Sequence, residues 1–428
     1  MSFFTKKPKT ESKPDILYCY PDFPIKCQKK KGSKYEPFAE SWVHDDQKDD
    51  VIDEKIKKRT KIVEDIISKP EAKVKQKTPE WLGLRNDKES ASDCGAIVGL
   101  DDHKLQYEFL FSKLGRSRFD ANKWCYHGNK YEEIANMLYS YRKNVQVLEI
   151  GFVNHKTCKF IGISPDGIIS KYKLDGKTLT KYAGRMLEIK CPPKRKILLE
   201  GKIKGEIVPI HYWAQVQMQL ECCDLDDCDF WQCAIEEYGS RDEFIKDTNK
   251  EEPFRSAETD LEKGCLIQLL PITKITCQGE DYDQAVYESS KFIHPPKIEM
   301  SPLDCDVWIA KVMSSIYKYC GSEYYFDKII YWKLVRSKCV TIERDKQWFK
   351  EKFPLLEKMW NYVEFFRNNE DKKLILFDYA DHLEVKDNDK IMEIAELLYN
   401  VPKTQTKDKM KEYNNRVKKL IDDIKKMK

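Results

Sequence analysis

Apolar positions along the chain keep two spacings, and each spacing marks a different kind of element. Ile52, Ile56, Val63, Ile66 and Ile67 fall on one helical face ahead of Pro70, which predicts an amphipathic helix that stops there. The stretch EAKVKQKTPEW (71–81) reads as a linker. Within 129–141, Ile134, Met137, Leu138 and Tyr141 share a face and predict a second helix. The spacing then shortens. Strands are predicted at 145–153 and 160–164, the latter ending in the turn Pro165-Asp166-Gly167. Segments 168–174 and 178–182 flank Asp175-Gly176, a strong hairpin signal. A strand at 185–190, a helix at 210–221 and a strand at 229–235 follow.

Beyond residue 240 the pattern loosens. Residues 240–300 read as loops around one apolar run, CLIQLLPI. A helix is predicted at 304–319, and 329–335 with 339–342 read as paired strands. Pro354 is expected to open a helix through Leu355, Met359, Trp360 and Val363. The last segment is a Lys-rich amphipathic helix with Val417, Leu420, Ile421 and Ile424 on one face. No internal repeat is visible. This mixture predicts an α/β fold.

Composition narrows the class. The 428 residues are enough for a sizeable core, and 35% charged residues imply a highly charged surface. The net charge of +4 is too small to argue for nucleic acid by itself, so its distribution matters more. Residues 403–428 carry ten Lys/Arg against four Asp/Glu, a local +6, which makes this tail a candidate for tracking DNA phosphates. Residues 1–50, rich in Lys, Pro, Asp and Ser, read as a loosely docked extension. No apolar run approaches the roughly 20 residues of a membrane span, and the N-terminus lacks a signal-peptide core. The fifteen scattered cysteines then read as reduced thiols, and the expected location is intracellular and cytoplasmic. No Gly-rich phosphate loop is present, so no ATPase is expected.

The chemistry concentrates in GRMLEIKCPPK (184–194). Glu188 and Lys190 are two apart on a strand and share a face. Asp166 ends an earlier strand, and the hairpin between them can bring the strand ends together. Asp166 and Glu188 can then hold Mg²⁺, a hard cation suited to carboxylate oxygens, and the Ile189 carbonyl, which lies between Glu188 and Lys190, is a candidate further ligand. Lys190 can orient the attacking water or neutralise charge on the transition state. Taken singly, Glu-x-Lys is also an ordinary surface pair and Pro-Asp-Gly an ordinary turn. Cys222, Cys223, Cys228 and Cys233 lack a C-x-x-C pair and read as buried free thiols. His127 and His211 lie near the site in sequence and are candidates for substrate contact.

The order strand, SPDG, hairpin, LEIK, helix with Gln-x-Gln resembles the PD-(D/E)xK nucleases. It is most similar to the lambda-exonuclease or YqaJ-type viral recombinase family, in particular to members from large DNA viruses. WLGLRNDKESAS (81–92), HGNKYEEIA (127–135), FIGISPDGII (160–169) and YWAQVQMQLE (212–221) carry the resemblance, and it covers about 78–235 well. The resemblance implies a restriction-endonuclease-like central mixed sheet flanked by helices, with helical N- and C-terminal extensions. The implied divisions are 1–75 (extension), 76–370 (exonuclease domain) and 371–428 (basic helical tail). It places a metal-site acid on Glu132, the catalytic set on Asp166, Glu188 and Lys190, and the glutamine that holds the lysine on Gln215. It puts a 5′-phosphate site on Arg85 and Ser92, with Ser90 beside them. NDKESAS is more charged than the family's usual apolar lead-in to this motif. The activity implied is a Mg²⁺-dependent exonuclease (Mn²⁺ substituting) acting 5′→3′ on duplex DNA ends. It would leave 3′ single strands for recombination, with a single-strand annealing protein as partner and a trimeric ring as oligomer. A structure-specific endonuclease and a non-cleaving DNA-binding module are the alternatives.

Overall fold

The structure, a computed structural model, describes residues 52–116, 122–401 and 407–427. Expectations for residues 1–51 and for 403–406 and 428 of the basic tail lie outside the described residues. Five helices come first: α1 (Glu54–Ser68), α2 (Pro79–Asn86), α3 (Cys94–Ile97), α4 (Gln106–Lys113) and α5 (Lys123–Lys143). Short strands β1 (Val147–Leu148), β2 (Val153–Asn154), β3 (Gly162–Ile163) and β4 (Gly167–Ile169) lead to β5 (Met186–Lys190). Then come α6 (Ile210–Cys223), β6 (Asp227–Glu237), α7 (Arg241–Lys246), β7 (Lys263–Pro271), α8 (Glu280–Ser289) and β8 (Lys291–Ile293). The chain continues with α9 (Pro302–Ser314), α10 (Tyr317–Cys320) and β9 (Tyr324–Glu343). It ends in α11 (Lys346–Asn368), α12 (Glu370–His382), α13 (Asn388–Tyr399) and α14 (Lys407–Met427).

Seven strands form one mixed sheet in the order β1-β4-β5-β6-β9-β7-β8, while β2 and β3 pair separately. The β5–β6 pair is parallel and the other pairs are antiparallel. The parallel pair requires a crossover, and α6 supplies it. Strand periodicity decides what each face meets. Cys228 and Phe230 of β6 join Met218 and Leu220 of α6 in one buried cluster. Trp231, Cys233 and Ile235 join Ile134 and Leu138 of α5 in the other. On β5, Met186 faces the α6 side, and Leu187 and Ile189 face α5. Glu188 and Lys190 therefore share Met186's face, under α6.

Both ends of the described residues pack into the α6-side cluster. Val63 and Ile66 of α1 are buried there, as are Leu376, Ile391, Leu398, Val417, Leu420 and Ile424 of the C-terminal helices. Arg59 of α1 pairs with Asp227 at 2.8 Å. Among the described residues, no helix is long and apolar enough to cross a membrane, and the thirteen cysteines are free.

Several expected boundaries move. The predicted strand 145–153 breaks into β1 and the start of β2. Between them the Gly151 and Phe152 N–H groups bond to Ala72 and Glu71 carbonyls. Only glycine permits that approach, since a Cβ at 151 would lie 1.9 Å from the Val74 oxygen. The hairpin at Asp175-Gly176 shrinks to one bridge, Tyr172 with Leu179. The run CLIQLLPI, expected amid loops, is β7, buried through Leu270 and paired with β9 along its length. The two strands expected to pair around 336–338 are one 20-residue strand, β9. Arg336-Ser337-Lys338 offers no Gly, Pro, Asn or Asp with which to turn. Its halves pair with β7 and β6 instead. Pro354 lies inside α11, because Asp345 caps the helix earlier by accepting the Trp348 N–H.

Candidate active site

Strand β5 answers why a carboxylate and an ammonium stand side by side. Glu188 is 1% exposed beneath α6. Its Oε1 accepts from Gln215 Nε2 at 2.6 Å and from Lys190 Nζ at 2.5 Å. Its Oε2 accepts from Gln219 Nε2 at 2.8 Å. Gln215 and Gln219 are one turn apart on α6 and reach down together. Gln217 points away and bonds the Glu343 carbonyl and the Asp345 N–H. Such partners offset the cost of burying a carboxylate. Gln215 was expected to hold Lys190; it donates to the Glu188 oxygen that Lys190 also reaches. Gln219 is the added partner, and the four-residue Gln spacing is its signal in the sequence.

Asp166 arrives from the SPDG turn. Its Oδ2 accepts the Ile189 N–H at 2.6 Å, which ties the turn to the peptide between Glu188 and Lys190. The Ile189 contact seen here is made by its N–H. Gly167 is required because a Cβ would sit 2.2 Å from Val147 Cγ1. The turn is braced from outside. Trp81 Nε1 donates to Ser164 Oγ at 2.8 Å, and Gln76 Nε2 donates to the Pro165 carbonyl at 3.1 Å. Gln76 sits in the predicted linker, where nothing in the sequence pointed to it.

Burial and the negative charges of Glu188 and Glu132 push the Asp166 carboxyl well above its usual range, against Lys190 and the Ile189 N–H. Burial alone would lower the Lys190 pKa; the charges of Glu188 and Asp166 outweigh it and raise it. Glu132 on α5 bonds Lys77 at 2.9 Å. Among the described residues, no three His, Cys, Asp or Glu side chains form a closed ligand cluster. The donor chemistry nevertheless fits a hard cation. Asp166, its pKa raised by burial and by the Glu188 and Glu132 charges, is a group a divalent ion relieves.

A second cluster lies on α2 and the turn Ala91–Asp93. Arg85 Nη2 donates to Ser90 Oγ at 3.1 Å and to Ser92 Oγ at 2.9 Å. Its guanidinium lies 4.5 Å from the centre of the Trp81 ring. Ser90 Oγ donates to Asp93 at 2.6 Å, and Lys104 pairs with the same carboxylate at 2.6 Å. Burial lowers the Arg85 pKa, with Asp93 acting against it. The three residues assigned to a phosphate site are therefore in mutual contact. Glu89, between them in sequence, is fully buried with both carboxyl oxygens unpartnered. Its backbone is pinned to the strand before Asp166 by bonds with Phe160 and Gly162.

The sequence profile of the YqaJ-like viral recombinase domain matches residues 80–226, a span holding both clusters. Residues 80–226 resemble a YqaJ-like viral recombinase domain. The matched span includes Arg85, Ser92, Glu132, Asp166, Glu188, Lys190 and Gln215, and stops before β6. An uncharacterised protein of Acanthamoeba polyphaga mimivirus is 43% identical over 306 residues, covering 71% of this chain and 55% of that protein. The chain thus spans about half the length of that curated relative. Among solved structures, the alkaline exonuclease LHK-Exo of Laribacter hongkongensis aligns over 69% of this chain and 98% of its own. Its identity is 15% and its TM-score 0.34. A phage-related exonuclease of Haemophilus somnus aligns over 67% and 98%, at 14% identity and a TM-score of 0.31.

Proposed function

We propose that this chain hydrolyses DNA phosphodiester bonds in a metal-dependent reaction, working 5′→3′ from duplex ends and leaving 3′ single strands. The observation that carries the reading is the convergence of Asp166, Glu188 and Lys190. Two strand ends and α6 bring them together, with the Ile189 N–H joining the first to the other two. Asp166 and Glu188, with Glu132 near them, would hold Mg²⁺ or Mn²⁺, which supplies Lewis acidity and acidifies a bound water. Lys190 sets a positive charge beside the reacting phosphate and neutralises charge that grows in the transition state. Gln215 and Gln219 fix Glu188 so that its orientation survives substrate binding. Arg85 can exchange two neutral serine hydroxyls for a terminal phosphate, which its planar fork matches. The mimivirus relative and the YqaJ-like match support a role in viral DNA recombination.

The test is digestion of linear and closed-circular duplex of the same sequence with Mg²⁺, and with chelator. Linear DNA should disappear from its ends only with metal, while circular DNA persists. Equal loss of the circle would favour a structure-specific endonuclease on the same residues.

A further inference from the structure

The proposed function leaves His211, in the first turn of α6, without a role. His211 precedes Gln215 by four residues and Gln219 by eight, so all three occupy one face of the helix. The two glutamines grip Glu188. His211 therefore stands one turn further along the same face, at the helix end where unsatisfied backbone N–H groups favour anions. Its neighbour Tyr212 carries the Lys190 ammonium 4.7 Å from its ring centre. From the loop before α4, the exposed His103 meets the His211 ring edge-on at 6.1 Å.

The charged and titratable groups around His211 include Asp101, His103, Lys190, Arg195 and the adjacent Tyr212, whose ring centre lies 4.1 Å away. Burial lowers the His211 pKa; Asp101 opposes this, and His103, Lys190 and Arg195 add to it. A neutral imidazole keeps one N–H to donate. Lys190 is paired with Glu188, whereas the Arg195 guanidinium donates to the neutral Gln232 oxygen at 2.7 Å and is the cation here that suits an anion. The position of His211 is also fixed from the other cluster. A Cβ on Gly95 would lie 2.7 Å from His211 Cβ, so the α3 backbone rests directly on this residue. Helix α3 follows straight from the turn that carries Ser92. His211 thus sits where the anion cluster and the hydrolytic cluster meet.

We propose that His211, with His103 beside it, binds a non-scissile phosphate of the DNA strand being cut, positioning that strand between the Arg85 cluster and Lys190. This inference rests on the reading of the chain as a DNA hydrolase and extends it to a further substrate-positioning residue.

The experiment uses the full chain, as wild type, His211→Ala and His211→Gln, on one 5′-phosphorylated linear duplex. Equilibrium binding is measured without divalent metal, and KM and kcat are measured with Mg²⁺. Loss of one hydrogen bond to a charged group should weaken binding by about tenfold in His211→Ala. That loss should fall mainly in KM. His211→Gln, which keeps an N–H donor, should recover most of it. Wild-type binding and KM in His211→Ala would overturn the proposal, as would equal losses in both variants, which indicate packing alone. A wild type that binds DNA with this His211 dependence but never cuts would sink the hydrolase reading instead.

Discussion

The Glu188 cluster and the Arg85 cluster are both polar, and they are partnered in opposite ways. At the first, each Glu188 oxygen is bonded and Lys190 is paired with the carboxylate it works beside. At the second, the Arg85 guanidinium is held by two neutral hydroxyls. Glu89, next to the serines, has partners for neither carboxyl oxygen. On the proposed function, the contrast separates two jobs. A centre that stabilises developing charge gains from fixed charges whose arrangement costs nothing to reorganise. A centre that captures an arriving anion gains from a cation whose present partners are weak. Lys190 and Arg85 should therefore fail differently when changed.

The largest effect is expected at Lys190. Lys190→Arg keeps the charge but replaces a compact ammonium with a bulky planar group that does not fit beside Glu188 and Tyr212. Cleavage should fall by about a thousandfold, on the scale of a lost transition-state contact, with DNA binding retained. An active arginine variant would reduce Lys190 to a structural ion pair. Arg85→Ala should act on end selection. Wild type should degrade 5′-phosphorylated ends faster than 5′-hydroxyl ends. The variant should lose that preference, a loss of about 1.5–3 kcal/mol or one to two decades in rate. The ratio of initial rates on the two substrates reads this directly; a ratio unchanged by the substitution would make the two clusters alike.

Glu89 sharpens the comparison through stability. Burial, then Asp93, raises its pKa well above 4.5, against Lys113. The folded state thus holds a proton the unfolded state releases. Its contribution is intact below the unfolded pKa and is lost as pH rises toward the folded pKa. Glu89→Gln should therefore gain on wild type between pH 5 and pH 8, by about 1–3 kcal/mol. Urea midpoints at the two pH values check this, and a difference independent of pH would contradict it. The smallest effect belongs to α14. Its apolar stripe is buried, so truncation would damage packing, whereas Lys418 and Lys419 are exposed. Changing both to Gln should make log K against log salt shallower by up to about two units if both touch phosphates. An unchanged slope removes the tail from the DNA path.

What was legible in the sequence was local. Two residues on a strand share a face, so Glu188 and Lys190 were placed by parity. Two glutamines four apart share a helix face, so Gln215 was placed by the turn of α6. The meeting of Arg85 with Ser92 came from motif resemblance, since no periodicity spans that loop. The unread parts depend on contacts far apart in sequence. Strand β9 looked like two strands because its halves serve different neighbours, β7 and β6. Strand β7 looked like a loop region's apolar patch because nothing near it revealed its place between β9 and β8. The Arg142–Glu262 ion pair joins α5 to the residue before β7, with both side chains buried. Neither residue's surroundings in sequence signal the other. The same reason hid the Glu188 preference of Gln215, which only the packed geometry displays.

The central claim is that Glu188 is buried and multiply bonded in order to serve hydrolysis. Glu188→Gln keeps its shape and its place beneath α6 while removing the charge. The decisive measurement pairs the initial rate of linear duplex degradation in Mg²⁺ with equilibrium binding of the same duplex. The account predicts binding within about threefold of wild type and a rate reduced by three decades or more, as expected for a lost metal-site charge. A variant that binds normally and cuts at more than roughly a tenth of the wild-type rate, a deficit of under 1.4 kcal/mol, would show that the chemistry lies elsewhere.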